Sequence, residues 1–272
     1  CVTSTGRLSS RNPNFQNMPR GKTFPVRRAV VSRFEGGKIL EGDYAQLEYR
    51  VAGFLSKDKH VYDNVEGGVD VHNLTATIIT GKDKKDITSE ERQNAKAHTF
   101  APLYGATGMG LPEHIHRYYY QFTDVYPGIG EWHIRLANEA LKYKVVSLPS
   151  GREYRFPYVK RTARGITHGT SVKNYPVQGF ATADLLPSAL VLTFEEFKKR
   201  KLKSLLCNTV HDSIVVDVHP DEEDQVIETV KECMLSIPQQ AKRRWGIDYD
   251  MPVGIEIKIG SNWLDTKEIF SN

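Results

Sequence analysis

Four side chains in the stretch RQNAKAHTFAPLYG, residues 92–105, recur at every fourth position: Arg92, Lys96, Phe100 and Tyr104. A step of four residues advances about 400° around an α-helix, so two cations and then two aromatics drift slowly around one face. From Arg92 to Tyr104 such a helix rises roughly 18 Å, the reach of an extended nucleotide with its phosphates. Arg92 and Lys96 can hold a polyphosphate while Phe100 and Tyr104 stack against a sugar and base. An ordinary amphipathic helix with snorkelling cations and core aromatics has the same spacing, which by itself does not choose between the two.

A second constellation is a pair of acids, Asp43 and Asp212, each placed where an apolar strand ends. A strand end carries a charge at the rim of a sheet without burying it unpaired. If the two strands are neighbours, the carboxylates form an oxygen-rich site suited to magnesium, which keeps waters and takes one or two carboxylates plus substrate phosphates. Two metals about 4 Å apart can activate a hydroxyl and stabilise the leaving oxygen of an in-line displacement. Alternatively, Asp212 is a hairpin-turn residue and Asp43 a loop-entry acid. The His211-Asp212 pair lacks the glycine that tight two-residue turns prefer, which makes a purely structural role less comfortable.

The elements that must position these residues follow from pattern. TGRLSSRNPNFQNMP is polar and rich in Asn, Ser and Pro, hence irregular backbone held by its side chains. GKILEGDYAQ reads as a short strand and QLEYRVAGFLS as a helix, and DVHNLTATIITG through LANEALKYK is mostly helical, with Thr88 and Glu91 forming a capping box. KVVSLPSGREYRF predicts a hairpin turning at Pro149, Ser150 and Gly151, and a long helical region interrupted at Pro176 and Pro187 comes next. SLLCNTVHDSIVVDV gives two strands, an acidic helix follows, and MPVGIEIKIG is the last strand. Strands at both ends with helices between them imply an α+β fold, an antiparallel sheet carrying a helical insertion.

At 272 residues the chain has room for one large domain or two modest ones. Its formal excess of four positive charges is mild, but the distribution is uneven. Residues 1–33 carry seven bases (Arg7, Arg11, Arg20, Lys22, Arg27, Arg28, Arg33) and no acid, and residues 142–173 carry eight bases against Glu153. Two such regions suit a surface that tracks phosphates, or simply solvated loops. Cys1, Cys207 and Cys233 form no CxxC pair, which argues against a disulfide framework or a zinc knuckle. Nothing reads as a signal peptide or membrane span, and cytosol is the default setting.

In order, TGRLSSRNPNFQNMP, DYAQLEYRVAGFLS, DVHNLTA, RQNAKAHTFAPLYG, NYPVQGFATAD and VHDSIVVDV closely resemble the polymerase module of family A DNA polymerases, from about residue 3 to the C-terminus. The resemblance implies a template-directed DNA polymerase that binds primer-template DNA and dNTPs with two Mg2+ ions, in the cytosol of a bacterium or phage-infected host. It divides the chain into a palm, first part (1–57), fingers (58–165) and a palm, second part (166–272). Asp43 and Asp212, with Tyr44, would hold the metals. Arg92 and Lys96 would bind the triphosphate, Lys96 also donating a proton to departing pyrophosphate, and His72 adds a phosphate contact. Phe100, Tyr104 and Gln46 complete the nucleotide site, and Glu48 is the steric gate that works with Tyr104 to exclude a ribose 2′-hydroxyl. Arg7, Asn14, Gln16, Asn17, Asn174, Gln178 and His211 match primer-template contacts, although Gln16 and Asn17 also suit satisfaction of their own loop and His211 an ordinary turn.

The sequence departs from the family pattern in three places. Many relatives carry glutamate after the second aspartate, where this chain has Ser213. Pro102 lies inside the nucleotide helix and should kink or loosen its last turn before Tyr104. The chain also begins almost on the first motif, which leads to the expectation of a palm-and-fingers portion without thumb or exonuclease, needing an N-terminal polymerase fragment as partner. Cys1 suits the first residue after an intein, where a thiol accepts an acyl transfer, as well as a plain split gene. The competing expectations are a single-subunit RNA polymerase-like enzyme, against which Glu48 argues, and a catalytically silent DNA-binding fragment.

Overall fold

A computed structural model describes residues 1–19, 21, 23–163 and 165–272. Arg20, Lys22 and Arg164, counted in the two basic runs, lie outside the described residues. The chain divides into two compact units, one formed by residues 1–47 and 178–272 and the other by residues 48–177.

The first unit opens irregularly, as its Asn, Ser and Pro content predicts, with short 3-10 turns at Phe15–Asn17 and Val26–Ala29. Strand β1 follows at Lys38–Tyr44. The second unit then contributes helices α1 (Leu47–Ser56), α2 (Lys59–Glu66), α3 (Val71–Thr80), α4 (Ser89–Thr99), α5 (Glu113–Val125) and α6 (Pro127–Tyr143). Hairpin β2 (Val145–Ser147) and β3 (Glu153–Arg155) closes through Gly151 at φ 85°, where the sequence placed its turn. A two-residue ladder, β4 (Arg161–Thr162) with β5 (Gly165–Ile166), precedes α7 (Gly169–Gln178). Tyr118, Ile129, Leu103 and Val71 are fully buried in this unit, with the ring of Tyr118 edge-on to Phe122.

Back in the first unit come α8 (Leu186–Lys199), β6 (Leu205–Val210), β7 (Ser213–Val218), α9 (Glu223–Leu235), α10 (Ile237–Trp245), β8 (Ile255–Gly260) and β9 (Thr266–Ser271). The sheet order is β6-β7-β1-β8-β9, every neighbouring pair antiparallel. The antiparallel sheet with an inserted helical stretch therefore stands as expected. β8 is not the last strand, however. β9 pairs beside it with an exposed, charge-rich face, and its polar TKEIFS sequence hides the edge-strand character.

Neither Pro176 nor Pro187 interrupts the helix. Between α7 and α8 the residues Gly179–Leu185 form a π-helical stretch, and the Leu186 N–H bonds to Ala181 O, five residues back. The wider turn relieves the clash that the Pro187 ring would make with the preceding carbonyl row, so the helical run continues from Gly169 to Lys199. By length and composition that run passes the test for a membrane span, contrary to the sequence expectation. Its most apolar window is 61% buried within the protein, which is the behaviour of a core helix.

Candidate functional site

The register of the sheet brings the two aspartates together. Asp43 pairs with Ser213 across β1 and β7, and the Tyr44 N–H donates to Asp212 O at 3.3 Å. The two residues thus sit at adjacent strand ends, one register step apart. Both residues are part-exposed although β7 is buried along its whole length, so the charges sit at the rim of an apolar sheet. Between Val210 and Ser213 the two-residue turn places His211 at φ 58°, a left-handed position that glycine usually fills and histidine tolerates. Arg7 donates to His211 Nδ1, which leaves the ring proton on Nε2. The Tyr44 hydroxyl donates to Met234 O at 2.9 Å, and burial first, then Cys233, Tyr249 and Asp212, holds that phenol well above its usual range.

Two carboxylates and the neighbouring Tyr44 carbonyl make an all-oxygen donor set, which fits a hard divalent cation. No group of three or more His, Cys, Asp or Glu side chains able to hold a metal ion occurs among the described residues. A cation here would take its remaining ligands from water and substrate, the habit of magnesium.

The loop before β1 is organised by its own amides. Asn14 accepts from the Gln16 N–H at 3.1 Å, while Gln16 accepts from the Ser10 N–H at 3.1 Å and donates to Thr209 O at 2.9 Å. Gln16 therefore ties the loop to β6, whereas Asn14 and Asn17 are exposed. Gln178 accepts from Thr5 Oγ1 at 2.8 Å. One turn earlier on α7, Asn174 Oδ1 is buried with no hydrogen-bond partner among the described residues. Gln46 holds φ 54° just after β1.

In the helical unit the Thr88–Glu91 capping box is complete: Thr88 Oγ1 accepts from the Glu91 N–H at 3.2 Å and Glu91 Oε2 from the Thr88 N–H at 2.9 Å. It starts α4, which carries Arg92 and Lys96. Arg92 Nε donates to Asp70 Oδ2 at 2.5 Å, and Asp70 also caps α3 by accepting from the His72 and Asn73 N–H groups. His72 lies in the field of both cations; burial and then, beyond the opposing pull of Asp70, Arg92 and Lys96 lower its pKa. His72, Arg92 and Lys96 thus form one basic cluster. Asp70 was missed in the sequence, although aspartate directly before a helical run is the signature of a cap.

The four spaced residues do not share one continuous helix. α4 ends at Thr99, Phe100 is its cap, and Pro102–Tyr104 forms a 3-10 turn closed by Gly105 at φ 81°. Pro102 has no N–H to continue the ladder toward His98, so the loosening expected at this residue breaks the helix. A Cβ on Gly105 would also meet Lys173 Cδ at 2.6 Å. The Phe100 ring packs against Tyr49 and His72 at centroid distances of 5.6 and 5.4 Å, and the Tyr104 hydroxyl donates to Glu48 Oε2. Behind this turn His133 Nε2–H donates to Leu103 O at 3.0 Å, and burial, aided by Lys173, pushes the imidazole down to about 3.

A family model described as DNA polymerase family A matches residues 1–265. Among curated relatives, DNA polymerase I of Lactococcus lactis subsp. lactis is 32% identical over 98% of this chain and 30% of its own length. DNA polymerase I of Aquifex aeolicus is 31% identical over 95% of this chain and 44% of its own. Among solved structures, the POL domain of Pol1 from M. smegmatis, in complex with DNA primer-template and dNTP, superposes with a TM-score of 0.82 at 25% identity, covering 97% of this chain and 47% of that one. The chain spans less than half the length of each of these relatives.

Proposed function

The chain belongs to DNA polymerase family A, and on that premise we propose that it catalyses template-directed addition of dNTPs to a primer 3′-hydroxyl. The observation that carries this reading is the placement of Asp43 and Asp212 at adjacent strand ends. The likeness to a Pol1 domain that binds primer-template and dNTP supports it. Residues 1–57 and 166–272 act as palm and residues 58–165 as fingers, in cytosol.

Asp43, Asp212 and the Tyr44 carbonyl would hold two Mg2+ ions, which would supply Lewis-acid stabilisation of the developing charge. Arg92 exchanges the Asp70 carboxylate for the triphosphate of the incoming nucleotide, a bidentate-capable partner at the N-terminal half of α4. Lys96, one turn on, holds the same phosphates and donates a proton to the departing pyrophosphate, and His72 adds a hydrogen bond. Phe100, Tyr104 and Gln46 confine the sugar and base. Glu48, accepting from Tyr104, crowds the 2′ position so that a ribose hydroxyl meets a carboxylate already engaged. Arg7, Asn14, Gln16, Asn17, Asn174, Gln178 and His211 line the primer-template path, with sugar and minor-groove contacts that test pair geometry.

Primer extension with Mg2+ and dNTPs tests the reading, run with this chain alone and with the segment that precedes the matching region in its relatives. Templated extension in either arm is the expected result. DNA binding without extension in both arms would leave a catalytically silent binding module, and preference for ribonucleotides would point to an RNA polymerase-like enzyme.

A further inference from the structure

Asp43 is not the only acid on its face of the sheet. Side chains alternate along β1, which groups Ile39, Glu41 and Asp43 on one face and Gly42 with Tyr44 on the other. Contacts agree: Ile39 clusters with Val215 and Trp263, whereas a Cβ on Gly42 would meet Met234 Sδ at 2.7 Å. Glu41 lies on the Trp263 side, 3.7 Å from Arg27 Nη1, and the Arg27 guanidinium stacks over Trp263 at 4.0 Å while its Nε donates to Met18 O at 3.2 Å.

The Glu41 and Arg27 side chains are only 11% and 4% exposed. A buried pair of this kind is a poor source of stability, because desolvating both charges offsets most of their attraction. What it does provide is a carboxylate with a fixed orientation. Successive same-face positions of a strand are about 7 Å apart, a distance that one water-mediated contact to a shared cation spans. Ser213 lies opposite Asp43 in register and directly after Asp212. Its Oγ lies 3.3 Å from Glu41 Oε1, so the Glu41 carboxylate occupies the space beside the short serine side chain.

We propose that Glu41, two positions before Asp43 on the same face of β1, is the positioning carboxylate of the aspartate site, accepting a hydrogen bond from cation-bound water. Arg27 and Ser213 hold it in place. The inference rests on the reading of Asp43 and Asp212 as cation-binding residues.

The test is titration of the purified chain with Mn2+ alone, followed by electron paramagnetic resonance, alongside the melting temperature of each variant. Glu41→Gln is expected to weaken Mn2+ binding about 10-fold, the usual scale for a group that orients metal-bound ligands. The exchange variant Glu41→Ser with Ser213→Glu, which moves the carboxylate to the facing position beside Asp43 on β7, should regain most of that loss. Wild-type affinity in Glu41→Gln, with or without a lower melting temperature, would reduce Glu41 to a structural partner of Arg27 and overturn the proposal. If Glu41→Gln fails to fold, Glu41→Asp keeps the charge beside Arg27 while retracting it, and unchanged Mn2+ affinity there overturns the proposal equally. Asp43→Ala separates the two levels: unchanged binding in that variant sinks the aspartate site itself, whereas weakened binding beside an unaffected Glu41→Gln rejects Glu41 alone.

Discussion

The hydroxyl of Tyr104 donates to Glu48 Oε2, joining residues 56 positions apart in one hydrogen bond. Glu48 lies in the first turn of α1 and Tyr104 ends the turn that Pro102 imposes, so this contact depends on the helix breaking where it does.

Sugar selection should depend on that pair. Glu48→Ala removes both the bulk and the carboxylate beside the sugar pocket, and ribonucleotide insertion relative to deoxyribonucleotide insertion should rise about 10-fold or more, since discrimination in such pockets is worth roughly 1–3 kcal/mol. Single-nucleotide insertion kinetics with matched rNTP and dNTP check this. An unchanged ratio removes Glu48 from the gate.

Loss of either aspartate should separate chemistry from binding. With Asp43→Ala or Asp212→Ala, removing several kcal/mol of charge stabilisation corresponds to an extension rate lower by about a thousandfold or more. Duplex affinity should persist, because contacts to phosphates provide most of it and fall with salt. Extension rates and filter binding at two salt concentrations give the comparison, and retained turnover in either variant rejects the metal assignment.

The Phe100 side chain packs tilted against Tyr49 and edge-on to His72 and carries no polar atom. The resemblance to family A DNA polymerases implies that Phe at this position rejects a nucleotide lacking its 3′-hydroxyl, whereas Tyr tolerates one. Dideoxynucleotides should therefore be rejected, and Phe100→Tyr, which supplies a hydroxyl, should raise their use by about 10-fold or more. Equal use of both nucleotide kinds by the unaltered chain would contradict the assignment.

His133 predicts an acid limb of stability. Its folded pKa is pushed down to about 3, from an ordinary value of 6.5, chiefly by burial. Below about pH 6.5 the unfolded chain takes up a proton that the folded imidazole refuses, so this contribution is present above that pH and lost as pH falls toward 3. Between pH 6.5 and 5 the loss should be roughly 1–2 kcal/mol relative to His133→Gln, which keeps a donor for Leu103 O without a titrating ring. Urea unfolding at both pH values measures it; parallel slopes in the two proteins would rule it out.

How much of this was legible beforehand differs by residue. The Thr88–Glu91 cap and the Gly151 turn were readable because each is settled by neighbours within four positions, where backbone chemistry acts alone. The continuity of the helix through Pro187 was not, since a π-helical stretch several residues earlier absorbs the ring. β9 was missed because its one-sided, charged edge sequence lacks apolar alternation.

The chemical inventory could be read from the residues in order: two acids at strand ends, two cations and two aromatics spaced by four, and a histidine where a turn wants glycine. Those are matters of residue type and local spacing. Folding in three dimensions is what sets Asp43 and Asp212 at adjacent strand ends, rests Arg92 on Asp70, joins Tyr104 to Glu48, and stands Glu41 next to Ser213 with Arg27 buried against it. Strand order and register bring together residues more than a hundred positions apart, and no local propensity encodes which strands will pair.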